Sequence, residues 1–175
     1  MVNEGPFYRY GVVAFYHFTD RRNLSMIREY GGLYSLARLR ELKIQVPAPG
    51  GNDWSHEADM RKGLDRYVHL CFRTNHPMLF RAMQDKRIEV PVYLEVHPDV
   101  LQIDGVMYAA DVSNKSGVEI YSLDQAKEMV DFEVLYTKTD WKDPDIQKRL
   151  QHAEKCELLV PDHIPLDLIR NFPHG

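Results

Sequence analysis

A chain of 175 residues falls in the usual range for one domain and can bury a sizeable core. With 44% hydrophobic and 27% charged residues, it is not disordered, collagenous or a disulfide scaffold. The 22 lysines and arginines stand against 26 aspartates and glutamates, so no global positive field attracts a polyanion, and nucleic-acid contact must use local patches.

No apolar run approaches the roughly 20 residues that span a bilayer, and the opening MVNEGPFYRY lacks a basic start followed by an apolar signal core. A single cytoplasmic domain over residues 1–175 is therefore expected. Cys71 and Cys156 lie far apart and outside any C-x-x-C pair, which reads as two buried thiols.

In chain order, residues 12–18 are β-branched and aromatic and read as a buried strand ending at Thr19-Asp20. Asp20 suits a helix N-cap, Leu24, Ile27 and Tyr30 recur near helical spacing, and Gly31-Gly32 stop the helix. A second helix is expected over 34–42, with Arg38, Arg40 and Lys43 on its polar face. Residues 46–55 (VPAPGGNDWS) concentrate turn formers and predict a long loop of the kind that carries function.

Residues 67–72 return to strand character, and His76-Pro77 opens a helix. Strands are expected at 91–96 and 105–110, a helix at 123–130, an extended segment at 132–136, a helix at 145–153 and a last strand at 156–160. The mixed order favours an α+β fold over a doubly wound sheet. Neither G-x-G-x-x-G nor G-x-x-x-x-G-K-[ST] occurs, so a bound nucleotide must be held by another scheme.

The densest constellation is Tyr16-His17-Phe18-Thr19, Asn23-Leu24 and the run from Gly31 to Ser35: a strand end that delivers polar groups beside a capped helix. By spacing alone, His17 is more readily a histidine bonded to neighbouring backbone than a functional one. The last strand is informative in another way. Period-two alternation sends Cys156, Leu158 and Val160 to one face and Glu157 with Leu159 to the other, placing one carboxylate on an otherwise apolar strand. His152, Cys156 and His163 lack common zinc spacing and complete no four-ligand set, so no metal is expected.

The segment YHFTDRRNLSMIREYGGLYS resembles the opening of DarT-type DNA ADP-ribosyltransferases, where a strand His and Thr and an Asn-Leu precede Gly-Leu-x-Ser. Four later segments agree in the same order: LDRYVHLCF, HPMLF, GVMYAADVSN and CELLVPDHIPLDLI. The resemblance implies an ADP-ribosyltransferase fold: a split mixed β-sheet core with surrounding helices and an NAD-binding cleft. Cleaving the bond between nicotinamide and ribose passes through an oxocarbenium-like state, which a nearby carboxylate stabilises.

Glu157 matches the Glu of the family's A-E-x-L-V-P pattern, with Cys156 in place of Ala, and is the expected catalytic group and remover of the acceptor's proton. Glu154 is the lesser candidate. His17 and Thr19 would meet the nicotinamide ribose or amide, and Asn23 the far side of the cofactor. Tyr67 would serve as a stacking platform or as core. The role of His69 stays open.

The family also implies an arginine at the pyrophosphate, which a planar guanidinium binds bidentately. Arg61 is favoured, with Arg66 the alternative. Trp54 would stack on a base of a single-stranded nucleic acid, or else plug the core, and Lys62 or Arg38 would neutralise its phosphates. NAD as co-substrate, single-stranded DNA as acceptor and a macrodomain antitoxin as partner are implied. The alternatives are an RNA or protein acceptor, or a binding module of the same fold without turnover.

Overall fold

The computed structural model describes residues 5–173; residues 1–4 of the opening stretch, and the last two residues of the expected domain, lie outside the described residues. A short helix, α1 (Pro6–Arg9), precedes β1 (Phe15–Asp20). β1 runs two residues further than its apolar pattern suggests, so Thr19 and Asp20 belong to the strand. The Asp20 carboxylate then accepts the Arg22 N–H at 2.9 Å and caps a 3-10 turn, Arg21–Asn23, which leads into α2 (Leu24–Glu29).

Next come β2 (Gly32–Tyr34) and α3 (Leu36–Glu41). The expected helix over 34–42 is thus shorter, because Ser35 caps it through the Arg38 N–H and Tyr34 pairs as strand. The expected loop over 46–55 ends at Asn52, whose side chain accepts from the Ser55 N–H at 2.9 Å and starts α4 (Asp53–Lys62). Gly63, in the left-handed region, closes that helix.

The remaining elements are β3 (Tyr67–Cys71), α5 (Pro77–Gln84), β4 (Pro91–Val96), β5 (Met107–Ala109), β6 (Ile120–Tyr121), α6 (Leu123–Met129), α7 (Phe132–Tyr136), α8 (Pro144–Ala153), β7 (Glu157–Pro161) and β8 (His163–Pro165). Residues 132–136 are therefore helical, contrary to their β-branched and aromatic composition. Asp131 caps them by accepting the Val134 N–H at 3.1 Å, and burial of Phe132, Val134 and Leu135 overrides local propensity.

The fold is α+β. Six strands form one sheet in the order β4-β1-β3-β7-β5-β6, β2 and β8 form a second, and the described ladders are antiparallel. β1 and β3 share one pair, Tyr16↔Cys71, whereas β1 pairs along its full length with β4 and β3 with β7. The large sheet is consequently split between β1 and β3, and the split opens toward His17 and Thr19.

One face of the sheet is core. Val68, Leu70, Leu158 and Val160 join Phe7, Phe15, Phe72 and Phe132 in a single buried cluster, with Phe7 packed edge-on to Phe15 and Phe132. Each such fully buried side chain contributes on the order of 1.5–3 kcal/mol, which holds both sheet halves rigid although they share so few hydrogen bonds. The alternate residues Tyr67, His69, Cys71 and Glu157 are thereby left on the opposite face.

Candidate active site

A cleft of about 270 Å³ occupies that opposite face, walled by the end of β1, α2, β2, α3, residues 44–51, the first turns of α4, β3 and residues 112–114. Glu157 stands at its floor. It opens β7 opposite Cys71 on one side and Ala109 on the other, and although charged it is only 6% exposed. A buried carboxylate needs partners, and this one has three.

The Ser113 N–H donates to Glu157 Oε2 at 2.9 Å, His69 Nδ1 lies 3.5 Å from the same oxygen, and His76 Nε2 lies 3.5 Å from Oε1. Desolvation opposes ionisation of Glu157, but the contact with His69, the charges of His69 and His76, and the Ser113 N–H together outweigh it. They hold the carboxyl down at about 2.

The surroundings of His69 fix its protons. Nε2 faces the Leu64 carbonyl at 3.2 Å, which can only accept, so that nitrogen carries hydrogen. Nδ1 faces the Glu157 carboxylate and, at 3.1 Å, the Ser113 hydroxyl. Burial lowers the affinity of this ring for a proton, yet the Glu157 carboxylate, Asp59 and the Leu64 carbonyl raise it to about 9. His69 is an imidazolium paired with a carboxylate.

His76 and His17 are pushed the other way, toward the neutral ring. His76 is 1% exposed, and its Nδ1 accepts the Met78 N–H at 3.3 Å as the cap of α5, which leaves Nε2–H toward Glu157; burial lowers its pKa. His17 Nδ1 donates to the His69 carbonyl at 3.2 Å across the split, and burial lowers its pKa too. The Nε2 lone pair of His17 is thus available to the cleft, as an acceptor for an amide N–H or a ribose hydroxyl.

Thr19 and Asn23 also reach the cleft, but their hydrogen bonds turn inward. Asn23, 4% exposed, donates to Thr19 Oγ1 at 3.0 Å and to the Ala48 carbonyl at 2.7 Å, and accepts the Ala48 N–H at 2.8 Å. Both amide hydrogens are used, so Asn23 pins the loop over 46–51 as a wall of the cleft instead of presenting a free amide to a cofactor. Tyr67 lines the cleft while half-buried against Leu64 and Leu159.

The expected cations are not brought together with these residues. The Arg61 side chain is 80% exposed on α4 and pairs with Glu57 at 3.4 Å, and Arg66 is exposed in the turn before β3. Neither lines the cleft, nor does any other arginine or lysine among the described residues. Helical geometry is the reason: α4 turns Ser55, His56 and Asp59 inward, and Arg61, two residues beyond Asp59, faces away.

Trp54 is 64% exposed on the first turn of α4, at the surface and not in the core. Lys62 Nζ is engaged by the carbonyls of Ser113, at 3.0 Å, and Lys115, so it ties α4 to the 112–115 turn. Arg38 pairs with Glu41 on the surface of α3. Glu154, the lesser candidate, is bound by Asn75 at 3.0 Å and does not line the cleft.

Sequence reasoning missed His76 and Ser113 as partners of Glu157. The signal in each was a polar residue next to a helix start, a turn or an apolar strand, which is common on any surface. Among the described residues, no group of three or more His, Cys, Asp or Glu could hold a metal ion, and no helix is long and apolar enough to cross a membrane.

The profile of the family described as "ssDNA thymidine ADP-ribosyltransferase, DarT" matches residues 16–172. Among solved structures, DarT of Thermus sp. 2.9 in complex with ADP-ribosylated ssDNA is similar at TM-score 0.66 and 18% identity, over 91% of this chain and 79% of that one. DarT of Thermus sp. 2.9 in complex with NAD+ is similar at TM-score 0.57 and 18% identity, over 91% and 80%. DarTG of Thermosipho africanus in complex with ADP-ribose is similar at TM-score 0.67 and 20% identity, over 90% of this chain and 42% of that longer one. No curated protein sequence matches significantly. At these identities the structural likeness establishes the fold, and the profile, which spans nearly the whole chain, establishes that the chain belongs to the DarT family of ssDNA thymidine ADP-ribosyltransferases.

Proposed function

We propose that Glu157 is the carboxylate on which this NAD-dependent ADP-ribosyltransferase of single-stranded DNA relies, with thymine as the accepting base. The observation that carries the reading is a carboxylate, 6% exposed, held by the Ser113 N–H and beside His69 at the floor of a largely apolar cleft. In such surroundings a fixed negative charge acts strongly on the positive charge that develops at the ribose C1 as nicotinamide departs. The Nε2 lone pair of His17 orients the carboxamide or ribose, and Tyr67 supplies an aromatic wall.

Trp54, exposed on the first turn of α4, offers a stacking surface to an incoming base, with Arg38 on α3 a cation for its phosphates. The DarT structures of Thermus sp. 2.9 in complex with NAD+ and with ADP-ribosylated ssDNA support the same assignment of substrate and product. A toxin role, with a macrodomain antitoxin protein that removes the modification, and action in the cytoplasm complete the proposal; the longer DarTG relative bound to ADP-ribose supports it.

The test is incubation of the purified chain with radiolabelled NAD+ and one of four acceptors: a thymine-containing single strand, the same strand without thymine, RNA, or cell protein. Label on the thymine-containing strand alone is expected, and its loss with Glu157→Gln. Label on RNA or protein in place of DNA would overturn the acceptor, and unchanged labelling by Glu157→Gln would overturn the role of that residue.

A further inference from the structure

Transfer to thymine has a requirement that Glu157 is badly placed to meet. Thymine within a DNA strand bears one ring N–H, at N3. For N3 to bond to the ribose C1, its proton must leave: the N3 lone pair forms the new bond, the bond from C1 to the nicotinamide nitrogen breaks, that nitrogen takes the electron pair as neutral nicotinamide, and the proton goes to a base. A base needs an unoccupied lone pair within reach and a proton affinity suited to neutral pH.

Glu157 is already committed on one side: Oε2 accepts the Ser113 N–H at 2.9 Å and lies 3.5 Å from His69, while Oε1 lies 3.5 Å from the buried Nε2 of His76. Both ring nitrogens of His69 are engaged, Nε2 by the Leu64 carbonyl and Nδ1 by Glu157 and the Ser113 hydroxyl. A second carboxylate lies in the same cleft. Asp59 projects from the inner face of α4 toward His69 and Glu157, and its buried Oδ1 has no hydrogen-bond partner among the described residues. Resting on the reading of thymine as acceptor, we propose that Asp59 is a second catalytic residue, the general base that removes the N3 proton, while Glu157 stays ionised and stabilises the ribosyl cation.

The electrostatics agree with that division. Desolvation first, and then Glu157 and Asp65, raise the Asp59 carboxyl to about 6 against the opposing charges of His69 and Lys62, whereas Glu157 is held at about 2. Two carboxylates whose environments drive them apart in this way take different roles. His17 and His56 also bring imidazole groups to the cleft and are the rival bases.

The experiment is steady-state transfer to single strands bearing one acceptor base, as a function of pH, for the intact chain and for Asp59→Asn, with Asp59→Glu as the conservative variant. For the intact chain, kcat should rise with pH through about 6, where Asp59 ionises. Asp59→Asn should lower kcat by roughly 10²- to 10⁴-fold, abolish that rise and leave the KM for NAD+ within a few-fold, and Asp59→Glu should recover part of the rate. Replacing deoxyuridine by 5-fluorodeoxyuridine, whose N3–H is more acidic, should recover more rate in Asp59→Asn than in the intact chain; a residue that only shapes the cleft would not discriminate between them.

A persistent rise near pH 6 in Asp59→Asn, as expected if His17 or His56 were the base, overturns the proposal. So does equal loss with both acceptors, or a loss carried by KM. The profile of the intact chain requires no variant to fold: absence of a rise near pH 6 also overturns it. Failure of the intact chain to label single-stranded DNA would instead defeat the reading of the acceptor.

Discussion

Nε2 of His76 lies 3.5 Å from Oε1 of Glu157, beyond any hydrogen bond of its own. The same ring caps α5 through its other nitrogen, so one buried side chain joins a helix start to the floor of the cleft. Replacing His76 with Phe keeps the bulk and deletes both contacts. A stability loss of about 1–3 kcal/mol in urea unfolding is expected, from the cap and the carboxylate oxygen left unmet, together with reduced transfer to single-stranded DNA.

The pair of Glu157 and His69 sets a pH window. Glu157 has its folded pKa depressed from 4.5 to about 2, so its contribution to stability is present above about 4.5 and is lost as pH falls toward 2. His69 has its folded pKa raised from 6.5 to about 9, so its contribution is full below 6.5 and is lost as pH rises through 9. Stability from this pair is therefore greatest between about 4.5 and 6.5. In denaturant titrations from pH 4 to 10, His69→Gln should lose stability relative to the intact chain below pH 6.5, with the gap narrowing as pH approaches 9.

Asn23→Ala should loosen the wall of the cleft without touching its floor. Three hydrogen bonds, to Thr19 and to both backbone groups of Ala48, disappear from a site 4% exposed, and a loss of about 1–3 kcal/mol follows from leaving buried groups unpaired. Hydrogen exchange should increase over residues 46–51, and the KM for NAD+ should rise more than kcat falls. Exchange in that loop equal to that of the intact chain would refute the pinning role.

Gly32→Ala should disrupt the small sheet. Gly32 has φ +148, and a Cβ built there would lie 2.1 Å from the Ile164 carbonyl oxygen on the paired strand. Backbone on both sides must shift, with a destabilisation of more than about 1 kcal/mol. Because Gly32 and Leu33 wall the cleft, NAD+ affinity measured by calorimetry should fall with it.

Glu157 was legible in the sequence as one carboxylate on an apolar strand, and His17 and Thr19 as polar groups at a strand end, because period-two alternation and strand termini are local properties. The helix α7 was not, since the residues 132–136 carry strand propensity and only their cap and their burial against the core make them helical. The placement of the candidate arginines was not either: composition offers Arg61 and Arg66, but Arg61 points outward from α4 and Arg66 lies exposed in the turn before β3.

The amino-acid sequence by itself determined the α+β class, the strand that carries Glu157 and the family, for these rest on short-range pattern and on motif order along the chain. Only the tertiary structure decided that residues 59, 69, 76, 113 and 157 meet. They come from α4, β3, the cap of α5, a turn and β7, and what joins them is the antiparallel register of Cys71 with Glu157 and the core that holds it. That convergence gives the two carboxylates opposite proton affinities, because burial acts on both while only Glu157 is met by two histidines and a backbone N–H.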